Sequence, residues 1–300
     1  MQIGLVGCGR WGRLILRDLR SLGANVVVAA PSEATRAQSV ELGAVAAVAT
    51  AGELPDLDGY VVAPPTVLHA ETVETLLPRN RPIFVEKPLT NDPAAADRIL
   101  AAAPDRVFCM DKWRYHGGVL KLADLAKRGA LGDVLAVRSW RLGWGNPHRD
   151  VDAAWILLPH DLSIALEILG RLPPLRHAHG IAAGPIGESL SAVLVDPAGG
   201  PSVEMEISSS HPVNRRSVAV IGSEAVAQFG DSYDRALRLN RPGAEPEEIP
   251  VETEMPLLAE LRAFVEHIAG GPPPKSNAAE AALIVHRVAE MRAAAGFATP

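Results

Sequence analysis

The chain has 300 residues, more than one hydrophobic core usually holds, and at about 150 residues per domain this predicts two domains. Apolar residues make up 48% and charged residues 21%, which excludes a disordered or fibrous chain. A formal charge of -6, with no Lys/Arg-rich block, argues against nucleic acid or anionic membranes as partners.

No apolar run approaches the roughly 18 residues of a membrane span, and no signal-peptide pattern is seen. The two cysteines, Cys8 and Cys109, are too few for a disulfide framework and lack metal-ligand spacing. A reduced, cytoplasmic setting with no metal site is expected.

Short apolar runs alternate with amphipathic stretches over the first 110 residues, the pattern of a parallel sheet with helical crossovers. Strands are predicted at Ile3–Val6, Val26–Ala30, Tyr60–Ala63, Ile83–Val85 and Val107–Met110. Trp11, Leu14, Ile15, Leu19 and Leu22 recur at helical spacing before Gly23, so the first two strands flank a helix. Further helices are predicted from Val67 to Leu77 and from Pro93 to Ala103. From about Gly132 strands dominate: Ser189–Val195, the strictly alternating Val203–Ser208, and segments near 134–144, 175–183, 215–221, 224–229 and 235–239. One helix, His160–Leu169, is placed after Pro159 and before Gly170. Two closing helices carry Leu257, Leu261 and Phe264, and Leu283, Ile284 and Val288. The reading is an α/β Rossmann domain over 1–115 and an α+β domain over 116–300, built on an open, mostly antiparallel sheet that shapes the substrate site and an oligomer interface.

Gly7-Cys8-Gly9-Arg10-Trp11-Gly12 matches G-x-G-x-x-G between a strand and a helix. The first glycine permits the tight turn, the second lets backbone approach a pyrophosphate, and the third lets helix pack on strand. Free N–H groups at the helix N-terminus then hold phosphate. An NAD-preferring fold usually carries Asp or Glu at the end of the second strand, where this chain reads Ala29-Ala30-Pro31-Ser32. With Ser32 and Arg36 just downstream, NADP is favoured over NAD.

Glu86-Lys87-Pro88 follows the strand Ile83–Val85, so Lys87 sits at a carboxyl-end strand tip, where open α/β sheets bind ligands. Pro64, Pro65, Thr66 and His69 follow the Tyr60–Ala63 strand. Trp113-Arg114-Tyr115-His116 follow Val107–Met110, and His160-Asp161-Leu162 open the later helix. In this order the motifs resemble the glucose-fructose oxidoreductase / inositol dehydrogenase / rhizopine-catabolism (Gfo/Idh/MocA) family, nearly end to end.

That resemblance implies NAD(P)-dependent hydride transfer to or from a hydroxyl or keto group of a sugar, cyclitol or nucleotide-sugar-like molecule, by a homodimer or higher homo-oligomer. It implies Lys87 as the acid/base or hydrogen-bonding group, with a Lys-Pro bond that is often cis, and His160 as its catalytic partner. Gly7 to Gly12, Pro64, Pro65, Thr66, His69 and Glu86 are then expected around the cofactor. Trp113, Arg114, Tyr115, His148 and Arg149 are candidate substrate contacts, with Arg114 equally open to bracing the fold.

Many family members carry an aspartate four residues before the histidine. Here that position is Ile156, while Asp150, Asp152 and Asp161 stand nearby. The departure keeps open an NAD(P)-binding regulator without turnover, and a redox-assisted lyase or glycosidase with no net oxidation is a separate alternative.

Overall fold

The computed structural model describes residues 1–146, 150–182, 188–231 and 233–297. These divide into two units, Met1–Lys112 with Met255–Val285, and Trp113–Glu254 with the segment from His286 on. A single second domain over 116–300 is expected from the sequence, whereas the structure groups Met255–Val285 with the first unit. The reason is the apolar face of α7 (Pro256–Ile268), whose Leu257, Leu261 and Phe264 lie in the first unit's core.

In the first unit β1 (Gln2–Val6), α1 (Arg10–Ser21), β2 (Asn25–Ala29), α2 (Glu33–Glu41), β3 (Ala46–Val48), β4 (Gly59–Val62), α3 (His69–Leu76), β5 (Ile83–Glu86), α4 (Pro93–Ala102) and β6 (Val107–Met110) follow one another. The strands form a parallel sheet in the order β3-β2-β1-β4-β5-β6. This is the doubly wound arrangement, whose ligands bind at the carboxyl ends of the strands. One core joins Ile3, Leu5, Val26, Val28, Val61, Phe84 and Phe108 of the strands to Ile15, Leu16 and Leu19 of α1 and to α7. The helix expected at Val67–Leu77 begins as a 3-10 turn, Thr66–Leu68, and becomes α-helical only over α3.

The second unit contains α5 (Gly117–Lys127), β7 (Val134–Trp144), α6 (Ala153–Leu169) and the strands β8 (Leu175–Ala182), β9 (Glu188–Leu194), β10 (Ser202–Ser208), β11 (Ser210–Gly222), β12 (Val226–Phe229), β13 (Ala236–Asn240) and β14 (Glu247–Pro250). Its sheet runs β14-β13-β12-β11-β7-β10-β9-β8, antiparallel except for the β7·β10 pair. Val203, Met205 and Ile207 of β10 are buried, and so are Val137, Val218, Val220, Ala227, Phe229, Leu237 and Leu239. Most of these share a core with Val119, Leu122 and Leu125 of α5 and Ile164 and Ile168 of α6. The alternation in the sequence is thus a sheet with helices on one face. α8 (Ala278–Ala294) begins in the first unit and ends in the second.

α6 starts seven residues earlier than the Pro159 boundary suggests. The Asp152 carboxylate caps it, accepting from the N–H groups of Ala154 at 3.1 Å and Trp155 at 3.3 Å, and the helix carries Pro159 in its interior. A proline there removes one helical N–H donor and is normally costly. Burial of Ala154, Trp155, Leu158, Leu162 and Ala165 on several sides of α6 offsets that cost through packing.

Candidate dinucleotide and acid-base site

The glycine motif lies where the sequence places it, between β1 and the first turn of α1. Gly7 has φ +87°, and a Cβ there would stand 2.6 Å from the Ala63 carbonyl oxygen; a Cβ on Gly12 would stand 2.2 Å from that of Gly7. Both glycines are therefore required by close approach of backbone to backbone. Gly9 differs, since a Cβ there would meet nothing within 4 Å. Its missing side chain leaves open space in front of a helix N-terminus that has no side-chain cap and no acidic residue in its first turn. Such a terminus presents free N–H donors and a positive dipole end, which suits a pyrophosphate.

At the end of β2, Arg36 turns back from α2 and its Nη1 donates to the carbonyl oxygens of Ala30 at 2.9 Å and Pro31 at 2.7 Å. The guanidinium is thereby fixed at the strand tip where the sequence lacks an acid. Ser32 caps α2, its Oγ accepting from the Thr35 N–H at 3.4 Å.

Trp11, the fifth residue of the motif, reaches across to β5. Its indole Nε1 donates to Glu86 Oε1, and Glu86 Oε2 accepts from the Lys87 N–H at 3.0 Å. Lys112, just beyond β6, places its Nζ 4.4 Å from the Trp11 ring centroid, a cation-π contact. The Glu86-Lys87-Pro88 turn is tied to the glycine motif in this way, and the Lys87-Pro88 peptide is cis. His69, 1% exposed, holds the turn from its other side, with Nδ1 2.7 Å from the Pro88 carbonyl oxygen and Nε2 3.0 Å from that of Pro64. The ring thus joins the two loops that follow β4 and β5, and Thr66 between them is buried.

Beneath these strand tips lies a group of acids that sequence reasoning missed. Glu260 of α7 is fully buried, and neither of its carboxylate oxygens has a hydrogen-bond partner among the described residues. Burial pushes its carboxyl well above the ordinary range; Glu86 adds to this, Lys112 opposes it and Asp111 adds again. Burial likewise raises Glu86, against Lys87, Lys112 and its two N–H donors, and raises the Cys109 thiol, helped by Asp111, Glu86 and Glu260. One signal was available in the sequence: an acid on the helix face that also carries Leu257, Leu261 and Phe264.

A consequence for stability follows by linkage. A folded value above the unfolded one means the native state binds the extra proton, so this group's contribution is full below the ordinary carboxylate range and is lost as pH rises toward the folded value. Glu260→Gln is expected to melt with wild type near about pH 4 and above it near about pH 8. Thermal midpoints measured across that range check this; parallel curves would contradict it.

In the second unit Trp113 is at the centre of the candidate residues. It stacks on His116 at 5.0 Å, meets His160 edge-on at 6.4 Å, and lies under the Arg141 guanidinium at 4.7 Å. Arg141 projects from the helix-covered face of β7 and forms a two-pronged ion pair with Asp161, Nε to Oδ2 at 3.0 Å and Nη2 to Oδ1 at 3.1 Å, with side-chain exposures of 7% and 1%. Burial raises the Asp161 carboxyl while Arg141 draws it back.

Asp161 and Asp152, considered as stand-ins for the carboxylate replaced by Ile156, are both engaged, Asp161 with Arg141 and Asp152 with Arg292 Nε at 2.8 Å as well as at the helix cap. Ile156 itself is 7% exposed. Arg114 pairs with Glu167 of α6 at 3.0 Å and is 8% exposed, which supports the bracing role. His148 and Arg149 lie outside the described residues. Among the described residues no helix is long and apolar enough to cross a membrane, and no group of three or more His, Cys, Asp or Glu could hold a metal ion.

Residues 1–108 match the family model described as an oxidoreductase family with an NAD-binding Rossmann fold. Over these residues the chain is similar to the Gfo/Idh/MocA oxidoreductase family. Inositol 2-dehydrogenase of Renibacterium salmoninarum is 30% identical over 145 residues, 45% of this chain and 44% of that enzyme. That match spans less than half of the relative's length. Inositol 2-dehydrogenase of Streptomyces avermitilis is 27% identical over 291 residues, covering 79% of this chain and 82% of its own. Among solved structures, levoglucosan dehydrogenase in complex with NADH superposes with a TM-score of 0.87 at 15% identity, over 99% of this chain and 97% of that one. At this identity the superposition shows a shared fold and nothing further.

Proposed function

We propose that the chain is an NADP-preferring dehydrogenase or reductase acting on a hydroxyl or keto group of a sugar, cyclitol or nucleotide-sugar-like substrate, in a reducing, cytoplasmic setting. The observation that carries this reading is the coupling of the glycine motif to the Lys87 turn through Trp11 and Glu86. Phosphate-binding backbone and acid/base lysine are held as one piece. The open space at Gly9 and the uncapped start of α1 fit a pyrophosphate.

When bound, the nicotinamide supplies or accepts the hydride. Lys87 exchanges a proton with the substrate oxygen or stabilises its developing charge, the roles open to a positioned lysine. Glu86, unable to move while Trp11 and the Lys87 N–H hold both its oxygens, fixes the turn. His160, on α6 and edge-on to Trp113, makes a polar contact to substrate. The inositol 2-dehydrogenases and the levoglucosan dehydrogenase that resemble this chain support the carbohydrate-like class. The test is reduction of NADP+ or NAD+ against a panel of such alcohols.

For the cofactor, the fixed Arg36 at an acid-free β2 end supports NADP. Arg36→Ala is expected to weaken NADPH binding by about ten- to a hundredfold, the size of a charge-assisted hydrogen bond, and to leave NADH unchanged. Quenching of Trp fluorescence by each nucleotide measures this. Equal affinity of wild type for the two would contradict the preference.

For assembly, the reading is a homodimer through the sheet face that α5 and α6 leave uncovered. That face carries Trp144, 69% exposed, and Trp140 under the Arg215 guanidinium, beside the Arg138–Glu204 pair at 2.8 Å. Light scattering at micromolar concentration should return twice the chain mass, and a monomer would rule the interface out.

A further inference from the structure

The register of α7 against the sheet brings a second carboxyl level with Glu86. Phe84 and Glu86 share one face of β5, and Glu260 and Phe264, one turn apart, share one face of α7. Phe84 stacks on Phe264 with centroids 5.0 Å apart. A Cβ on Gly59, at the start of β4, would stand 2.5 Å from Ile268 Cδ1 and 3.2 Å from the Phe264 ring. Ile268 therefore lies at the amino ends of the strands, Phe264 midway, and Glu260 at the carboxyl ends beside Glu86.

The two acids are treated unequally. Glu86 accepts hydrogen bonds at both oxygens, from Trp11 and from the Lys87 N–H, which favours its ionised form. Glu260 has none at either oxygen among the described residues and no exposure to water. Neighbouring buried carboxyls do not both ionise, so the one without donors keeps the proton. The charged groups acting on Glu260 are Glu86 from β5 and Asp111 and Lys112 from beyond β6. The core that receives α7 contributes Cys8 and Trp11 from the motif, and Leu257, Leu261 and Phe264 flank Glu260 on its own helix. Lys87 stands next to Glu86 in the chain.

We propose that Glu260 holds a proton in the free protein and in the presence of reduced cofactor, and releases it to solvent when the oxidised nicotinamide, whose ring is positively charged, binds over the strand tips. This rests on the dinucleotide reading above. In the step the carboxyl O–H bond breaks, the proton passes to water, and no electron moves. The new carboxylate would offset the positive charge of the oxidised cofactor, and Glu260 would take its proton back once that charge is lost. Glu260 thus sets the relative affinity for the two redox forms of the cofactor.

The test follows Trp fluorescence for binding and an indicator dye for protons, in weakly buffered neutral solution, with NADP+ and NADPH added separately. Wild type is expected to release up to one proton per site with NADP+ and none with NADPH, so NADP+ affinity rises by up to about tenfold per pH unit. Glu260→Gln, which keeps the shape and stays neutral, is expected to bind both nucleotides with no release and a flat pH dependence for NADP+. Binding of NADP+ by wild type without proton release, or equal release by Glu260→Gln, overturns the proposal while leaving the dinucleotide reading intact. Binding of neither nucleotide overturns that reading and the proposal with it. Should the variant fail to fold, the infrared difference spectrum of wild type decides: loss of a protonated-carboxyl band on adding NADP+ supports the proposal, and its absence overturns it.

Discussion

Lys87→Met is expected to lower turnover by at least roughly 10²- to 10⁴-fold, the typical contribution of one acid/base group, while leaving nucleotide affinity close to that of wild type. The separation of the two effects comes from the local hydrogen bonding. Glu86 is held by the Trp11 indole and by the backbone N–H of residue 87, neither of which the substitution removes. Gly7, Gly9 and the start of α1 are untouched. Lys87→Arg sharpens the test, because a guanidinium keeps the charge but does not give up its proton. If Lys87 transfers a proton, Arg fails nearly as badly as Met; if it only stabilises charge on the oxygen, Arg retains a substantial share. A Lys87→Met variant as active as wild type would contradict any role at the reacting atoms.

Asp161→Ala is expected to cost about 3–5 kcal/mol of stability, the usual penalty for stranding one member of a buried ion pair. Arg141 is 6% exposed, lies over Trp113, and cannot shed its proton to escape. The reverse substitution, Arg141→Met, is expected to cost less as the pH falls. Burial already pushes the Asp161 carboxyl up, and without Arg141 it can take a proton and become neutral. The double variant Arg141→Met with Asp161→Leu should recover most of the loss, since apolar groups of similar volume avoid both desolvation penalties. Urea unfolding at two pH values checks all three, and equal losses for both single variants at both values would count against the buried pair as the cause.

The parts of the fold that were legible in the sequence are those fixed by local geometry. Gly12 is dictated by the backbone of Gly7 within the motif, and Gly7 by its positive φ and by the backbone at Ala63, so a strand, a G-x-G-x-x-G turn and an amphipathic helix specify one arrangement. The alternation of Val203, Met205 and Ile207 with polar residues likewise announced a one-sided sheet. Less visible were α2, whose sequence carries little apolar periodicity, β3, a three-residue edge strand, and α5, which opens on two glycines. Pro159 misled because a proline is read as a helix boundary, whereas packing around α6 outweighs the lost hydrogen bond.

The candidate site was half legible for a related reason. Lys87, Glu86 and the glycine motif sit at strand ends, where position in the chain predicts position in space. The partners that give them meaning come from far along the chain: Trp11 to Glu86, and Glu260 from a helix more than 140 residues beyond β6. No periodicity connects such positions. What the sequence did offer was a misfit, an arginine on the covered face of β7 and a glutamate on the apolar face of α7. A charge at a core position is a reason to look for its partner.

The central claim is that this chain carries out net hydride transfer, with the glycine motif and Lys87 as its working parts. Nicotinamide absorbance, recorded while the protein is incubated with NADP+ or NAD+ and a panel of sugars, cyclitols and nucleotide sugars, and with NADPH or NADH and the matching ketones, tests it most directly. The account predicts a stoichiometric change with at least one pair, absent in Lys87→Met. Tight nucleotide binding with no change across the panel, or product formed at constant cofactor level, would contradict it.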